Sequence, residues 1–123
     1  MKYNKNIILN ILSSKFFEQI TEYTLECVWQ LDESDLWNIF DEEAVCADLD
    51  NIDSLRVTDY SVHQDEESEH ICGTLEVSAF ITGYAHWDGE NLYLGSRLCP
   101  FDMTFGFYRT QDKYFDLKLE YIC

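Results

Sequence analysis

Positive charge is scarce in this sequence. It contains 8 lysines and arginines against 24 aspartates and glutamates, which gives a formal net charge of −16 at pH 7. The eight bases form no basic stripe, and no glycine-rich loop with a lysine is present to hold a phosphate. A chain with this balance repels nucleic acid and anionic membrane surfaces, so we expect it to bind neither of them directly.

Proline and glycine are also rare, at one and five residues, and there is no low-complexity segment or linker. The chain is 46% hydrophobic and 15% aromatic, whereas a disordered acidic tail combines high charge with low hydrophobicity. A chain of 123 residues has room for one good hydrophobic core. We therefore predict a single acidic domain over residues 1–123.

Long hydrophobic runs are absent, because no run reaches the roughly 18 residues of a membrane-spanning helix. The N-terminus starts weakly positive, but its short apolar run is interrupted by Asn10 and no small-residue cleavage site follows. Five cysteines, an odd number without paired spacing, are typical of reduced thiols. These observations together predict a cytoplasmic protein.

The first half of the chain has mainly helical patterns. Residues 4–18 carry apolar side chains three and four apart, which predicts an amphipathic helix. Residues 20–31 fit either a continued helix or an alternating strand, and their β-branched and aromatic content favours the strand. Asp32 and Ser34 are good N-caps for a second helix from about 35 to 47, and residues 48–54 are predicted to be an acidic connection.

The second half has the two-residue alternation of β-strands. This alternation recurs over residues 55–63, 72–86, 99–108 and 115–121, and Asp88-Gly89 is a hairpin turn signal. The predicted fold is α+β, with N-terminal helices packed on one face of a three- to five-stranded, mostly antiparallel sheet. The strands of the C-terminal half are predicted to form a meander.

Catalytic and metal-binding patterns are weak. There is no Gly-x-Ser-x-Gly motif, and acidic surroundings disfavour an activated cysteine. His63, His70 and Cys72 flank one charged turn, but they lack the paired spacing and the fourth ligand of a zinc site. The segment 48–53 has Ile52 where a calcium-binding EF-hand loop needs an acid. We therefore predict no enzyme activity, no metal site and no cofactor.

The acidic residues are concentrated in one third of the chain. Residues 32–70 hold 14 acids and one strong base, Arg56, and so carry −13 of the net charge. Carboxylates three or four apart on a helix approximate, at lower density, the phosphate row of duplex DNA, and they attract basic surfaces. The predicted partner-binding carboxylates are Asp32, Glu33, Asp35, Asp41, Glu42, Glu43, Asp48, Asp50, Asp53, Asp65, Glu66, Glu67 and Glu69.

Affinity also requires apolar anchors that become buried in the complex. The predicted anchors are Phe80, Tyr84 and Trp87; Trp37 and Phe40 would also qualify if exposed, but they are predicted to lie in the core. The leading hypothesis is a small non-catalytic inhibitor that occupies a basic, nucleic-acid-binding surface of a partner protein. Phage-encoded nucleic-acid mimics and anti-CRISPR proteins act in this way, and this chain resembles them in size and charge alone.

Other hypotheses stay open. An immunity protein or antitoxin would neutralise a toxin enzyme with a shape-specific plug, and its complex would depend less on salt. A ligand-binding or enzymatic α+β domain would use the polar sheet face, with Glu76, Tyr84, His86 and Tyr108 lining a pocket. The charge could also serve solubility alone. The inhibitor hypothesis requires the acidic segments to converge on one surface.

Overall fold

Three helices come first in the chain and four strands follow. The computed structural model describes residues 2–122, apart from the side chain of Trp87. The helices are α1 (Lys5–Lys15), α2 (Phe17–Trp29) and α3 (Glu33–Phe40), and the strands are β1 (Cys46–Gln64), β2 (Glu69–Trp87), β3 (Glu90–Thr110) and β4 (Lys113–Tyr121). The predicted α+β fold is confirmed.

The four strands form one antiparallel meander in the order β1-β2-β3-β4. The predicted alternation is confirmed in the two central strands, where every second residue from Ile71 to Ile81, except Gly73, and from Cys99 to Phe107 is buried beneath the helices. These buried residues are Ile71, Leu75, Val77, Ala79, Ile81, Cys99, Phe101, Met103, Phe105 and Phe107. The opposite face of the sheet has no helix over it.

The helices cover the apolar face of the sheet with residues spaced three and four apart. The buried helical side chains are Ile8, Ile11, Leu12, Ile20, Thr24, Cys27, Val28, Leu36 and Phe40. The predicted helix over residues 4–18 is instead two helices, because the chain leaves helical geometry at Phe16 (φ −127°, ψ 10°). That break lets Phe16 turn inward, where its ring lies 5.4 Å from the ring of Phe107.

The predicted strand at residues 20–31 is wrong, because this segment forms most of α2. Ile20, Thr24, Cys27 and Val28 face the core at helical spacing, and this burial outweighs the strand propensity of the segment. The hydroxyl of Thr24 donates to the carbonyl of Ile20 at 2.8 Å, so a buried polar group has a partner inside the helix.

The predicted helix over residues 35–47 is shorter than expected and ends at Phe40. Asp41 takes the left-handed conformation (φ 53°, ψ 31°), and the acids of residues 41–43 oppose continuation because a helix C-terminus is partially negative. The predicted connection at 48–54 is also wrong, because it belongs to β1. Two register shifts against β2, between Leu49 and Asn51 and between Ile52 and Ser54, disrupt the two-residue alternation there and hide the strand from the sequence pattern.

Candidate acidic binding surface

The predicted partner-binding carboxylates are divided between the two ends of the sheet. β1 runs for 19 residues, or about 60 Å of extended chain at 3.3 Å per residue. Its first residue, Cys46, pairs with Tyr84, and its last residue, Gln64, pairs with Glu69 at the opposite end of β2. Residues 41–53 therefore lie toward one end of the sheet, and residues 65–69 lie at the other.

We call residues 32–54 and 79–100 the acidic half; they comprise α3, the start of β1, the end of β2 and the start of β3. Phe40 fixes α3 there, because its ring fills the space over Gly83, where an added Cβ would lie 2.6 Å from it. The guanidinium of Arg97 lies 5.8 Å from the centre of the same ring. The acidic half contains 11 acids, and Arg97 is its one lysine or arginine.

Nine of the predicted carboxylates lie in the acidic half, and all nine residues are exposed: Asp32, Glu33, Asp35, Asp41, Glu42, Glu43, Asp48, Asp50 and Asp53. Within residues 2–122, none of the nine forms a salt bridge, since the ion pairs there join Arg56 to Glu76 and Arg109 to Glu69. The chain therefore does not neutralise the negative charge of this surface by pairing.

The carboxylates at the two ends of α3 differ in what they do for the helix. Asp32 accepts a hydrogen bond from the backbone N–H of Asp35 at 2.8 Å, and the side chain of Asp35 accepts one from the N–H of Asp32 at 3.2 Å. This reciprocal cap and the helix dipole stabilise the N-terminus. The acids of residues 41–43 follow the C-terminus, where the dipole disfavours negative charge.

Asp50 joins the acidic surface to the uncovered face of the sheet. One carboxylate oxygen accepts a hydrogen bond from the hydroxyl of Thr82, and the other accepts one from Ser96, both at 2.6 Å. The bond from Ser96, followed by that from Thr82, lowers the pKa of Asp50 below its ordinary value. Two hydrogen bonds from a neighbouring strand and the next thus hold this carboxylate in position, whereas Asp48 accepts one from the adjacent backbone N–H of Leu49 at 2.9 Å.

The other four predicted carboxylates lie at the opposite end of the sheet. Asp65, Glu66 and Glu67 are exposed in the turn between β1 and β2. Glu69 is not an exposed binding group, because only 14% of its side chain is accessible and its Oε1 lies 2.7 Å from Nη1 of Arg109. The structure therefore does not bring the 13 predicted residues together on one face.

The Glu69–Arg109 pair is part of a structural network around the N-terminus. The hydroxyl of Tyr3 lies 3.4 Å from Oε1 of Glu69 and 3.5 Å from Nη1 of Arg109. Gln64 donates to the second carboxylate oxygen of Glu69 at 2.8 Å. Burial raises the pKa of Tyr3, and the hydrogen bond to Tyr3, with that to Glu69, raises the pKa of Arg109. These contacts attach the segment before α1 to β2 and β3.

Five of the nine exposed large apolar side chains among the described residues belong to the acidic half. Their exposed fractions are 50% for Trp37, 53% for Val45, 46% for Leu92, 67% for Tyr93 and 53% for Leu98. Exposed apolar groups beside polar and charged groups are typical of protein-binding surfaces. Unpaired negative charge and exposed apolar surface thus occur in the same half of the molecule.

Two of the three predicted anchors lie on the uncovered face of the sheet. Phe80 and Tyr84 are half-buried on the uncovered face, where the ring of Tyr84 lies 6.2 Å from that of Tyr93. The side chain of Trp87 lies outside the described part of the structure. Phe40 is buried as predicted, with 2% exposure, but Trp37 is half exposed and does not belong to the core.

Sequence reasoning assigned Trp37 to the core, although the helical spacing could have placed it at the surface. Leu36 and Phe40 lie four residues apart and are both 2% exposed, so they define the buried side of α3. Trp37 is one residue, or about 100°, further round the helix and lies at the edge of that side. Tyr93 and Leu98 carried no such signal, because their exposure depends on which sheet face the helices cover.

The uncovered sheet face does not gather the residues predicted for a ligand pocket. Glu76 pairs with Arg56 at 3.1 Å, and His86 contacts Asn91 in the β2–β3 hairpin. Tyr108 lies at the other end, in a row of rings that crosses all four strands. In this row, neighbouring ring centres are 6.3, 4.6 and 5.8 Å apart across His63, His70, Tyr108 and Phe115. The four predicted lining residues therefore lie in separate rows.

No group of three or more His, Cys, Asp or Glu side chains among residues 2–122 has an arrangement that could hold a metal ion. The rings of His63 and His70 stack against each other, with an angle of 25° between their planes. In the same part of the chain, no helix is long and apolar enough to cross a membrane.

Comparison of the chain with models of protein families, with curated proteins and with solved structures found no match.

Proposed function

We propose that this protein is a small acidic inhibitor that uses its acidic half to occupy a basic, nucleic-acid-binding surface of a partner protein. The observation that carries the proposal is the coincidence of two features in that half. Nine carboxylates are exposed and form no salt bridge within residues 2–122, and five large apolar side chains of the same half are roughly half exposed. Charge attracts and orients a basic partner, and apolar groups supply contact area that becomes buried.

The acids of residues 41–43 give the strongest support for a use beyond folding. They lie after the C-terminus of α3, where negative charge is unfavourable for the helix, and they have no basic partner within the described chain. Their mutual repulsion costs stability. A requirement for binding explains why such charges cluster here, whereas Glu69 at the other end is explained by its contact with Arg109.

The experiment is a capture of partners on the tagged protein from a nuclease-treated lysate of the source organism, eluted with increasing salt or with duplex DNA. We expect a basic nucleic-acid-binding protein that DNA displaces and that elutes at moderate salt. Such a complex depends on charge, so its affinity falls steeply as salt rises. A captured protein that neither DNA nor salt displaces would contradict this proposal and support the immunity-protein or antitoxin hypothesis. If no basic protein is captured, solubility alone would explain the negative charge.

A further inference from the structure

The acidic half contains a groove built around the half-exposed indole of Trp37. The groove has a volume of about 400 Å³ and is lined by Glu33, Ser34, Trp37, Glu43, Ala44 and Val45. We call it the Trp37 groove. It combines apolar side chains from α3 and from the connection to β1 with two carboxylates, one from each of these segments.

The helix geometry places one of these carboxylates beside the indole. Glu33 and Trp37 are four residues apart on α3, a spacing that brings side chains together on the same face of a helix. Glu43 and Val45 reach the groove from the other side, where the backbone N–H of Val45 donates to the carbonyl of Tyr84 at 2.8 Å. That bond attaches the connection to the sheet, so the two walls of the groove are held by different elements.

We infer that the Trp37 groove receives an arginine side chain of the partner. An arginine has a planar cation that stacks on an aromatic face and donates paired hydrogen bonds to carboxylates. Trp37 supplies the aromatic face, and Glu33 and Glu43 supply carboxylates of the required charge. The two carboxylates of the groove disfavour an acidic or purely apolar side chain. The inference rests on the proposed function and names the partner group that the acidic half recognises.

The test uses the whole chain and a defined probe, a hexa-arginine peptide, followed by NMR of the tryptophan indole N–H groups. We expect the Trp37 signal to shift on titration and the Trp29 signal to stay in place. Trp29 is the matched control, because it is 63% exposed on α2 but does not line the groove. A shift of both signals, or of neither, would overturn the inference.

Variants distinguish the contribution of the Trp37 indole to peptide affinity from that of charge alone. W37L removes the aromatic face but keeps an apolar side chain, and we expect it to weaken peptide binding about fivefold, as loss of a cation–π contact does. W29L should leave affinity unchanged, and W37F should retain part of it. A hexalysine peptide should bind about threefold more weakly than hexa-arginine, since lysine lacks the planar fork. Equal binding of the two peptides would contradict an arginine site.

A third variant distinguishes failure of this inference from failure of the proposed function. D41N/E42Q/D48N removes three charges of the acidic half that do not line the groove. If this variant weakens peptide binding and W37L does not, the groove assignment is wrong and the proposed function stands. If neither variant weakens binding, both are wrong.

Discussion

Glu69, at one end of the sheet, and the carboxylates of the acidic half, toward the other end, differ in their contacts. Near the N-terminal segment, Glu69 is mostly buried and contacts Arg109, Gln64 and Tyr3. In the acidic half, nine carboxylates are exposed, and none forms a salt bridge within residues 2–122. A carboxylate that has a cationic partner inside the chain is explained by the fold. The acids of residues 41–43 lack such a partner and lie where negative charge weakens a helix end, so the fold does not explain them and they are the strongest candidates for binding.

The largest effect should come from detaching the acidic half from the core. F40A removes a ring that is 2% exposed and fills the space over Gly83. We expect it to lower the free energy of unfolding by about 3–5 kcal/mol, the usual cost of a large cavity. Urea denaturation measures the change. W37A, on the exposed side of the same helix, is the control and should cost less than about 1 kcal/mol; equal losses would contradict the assignment of the two faces.

Breaking the structural pair at the other end should have the next largest effect. R109M leaves the carboxylate of Glu69 without its cation in a site where only 14% of that side chain is exposed. Removing one partner of a fully buried pair costs about 3–5 kcal/mol, and we expect about 2 kcal/mol here because some solvent reaches both groups. The double variant R109M/E69L should recover much of this loss in urea denaturation. A double variant as unstable as the sum of the two single variants would contradict a direct pair.

Neutralising the exposed acids should have a small effect of the opposite sign. D41N/E42Q/E43Q removes mutual repulsion after the C-terminus of α3, so the thermal midpoint should stay the same or rise. The dependence of that midpoint on NaCl should also become weaker, because less repulsion remains to be screened. E69Q is the matched comparison and should lower the midpoint. A midpoint lowered by D41N/E42Q/E43Q would show that these acids have a structural role.

The smallest effect should be local to Asp50. S96A removes the larger of the two hydrogen-bond contributions that lower the pKa of Asp50, so this pKa should rise toward its ordinary value. Because the folded-state pKa is depressed, these bonds stabilise the fold above the unfolded-state pKa, and this contribution disappears as the pH falls through the folded-state pKa. NMR titration of the Asp50 carboxyl measures the shift, and an unchanged pKa in S96A would rule out the contact.

Much of the fold could be predicted from the sequence, since residues 71–81 of β2 and 99–107 of β3 alternate between buried and more exposed positions and this alternation is a local signal. The errors lie where tertiary contacts outweigh local patterns. Residues 20–31 have strand-like composition but bury Ile20, Thr24 and Val28 at helical spacing. The start of β1 is hidden by register shifts that depend on its pairing with β2.

The candidate site could be predicted only as a set of residues, because adjacency along the chain does not fix position in the fold. The acids of residues 41–43 and 65–67 belong to one acidic stretch of sequence, yet β1 separates them by most of its 19-residue length. Glu69 differs from its neighbours through contacts with Arg109 and Tyr3, which are distant in sequence. Trp37 is the residue that spacing alone, relative to Leu36 and Phe40, could have placed at the surface.

The most direct test of the acidic half as the binding surface compares two variants of equal charge. D41N/E42Q/E43Q and D65N/E66Q/E67Q each replace three consecutive exposed acids, one set in the acidic half and one in the β1–β2 turn. The measurement is the affinity of each variant for the captured basic partner at fixed salt. We predict that the first variant loses about tenfold or more in affinity, whereas the second loses less than about twofold, since close charge pairs govern such complexes. Equal losses would mean that net charge alone attracts the partner, and a larger loss in the second variant would place the binding surface at the other end of the sheet.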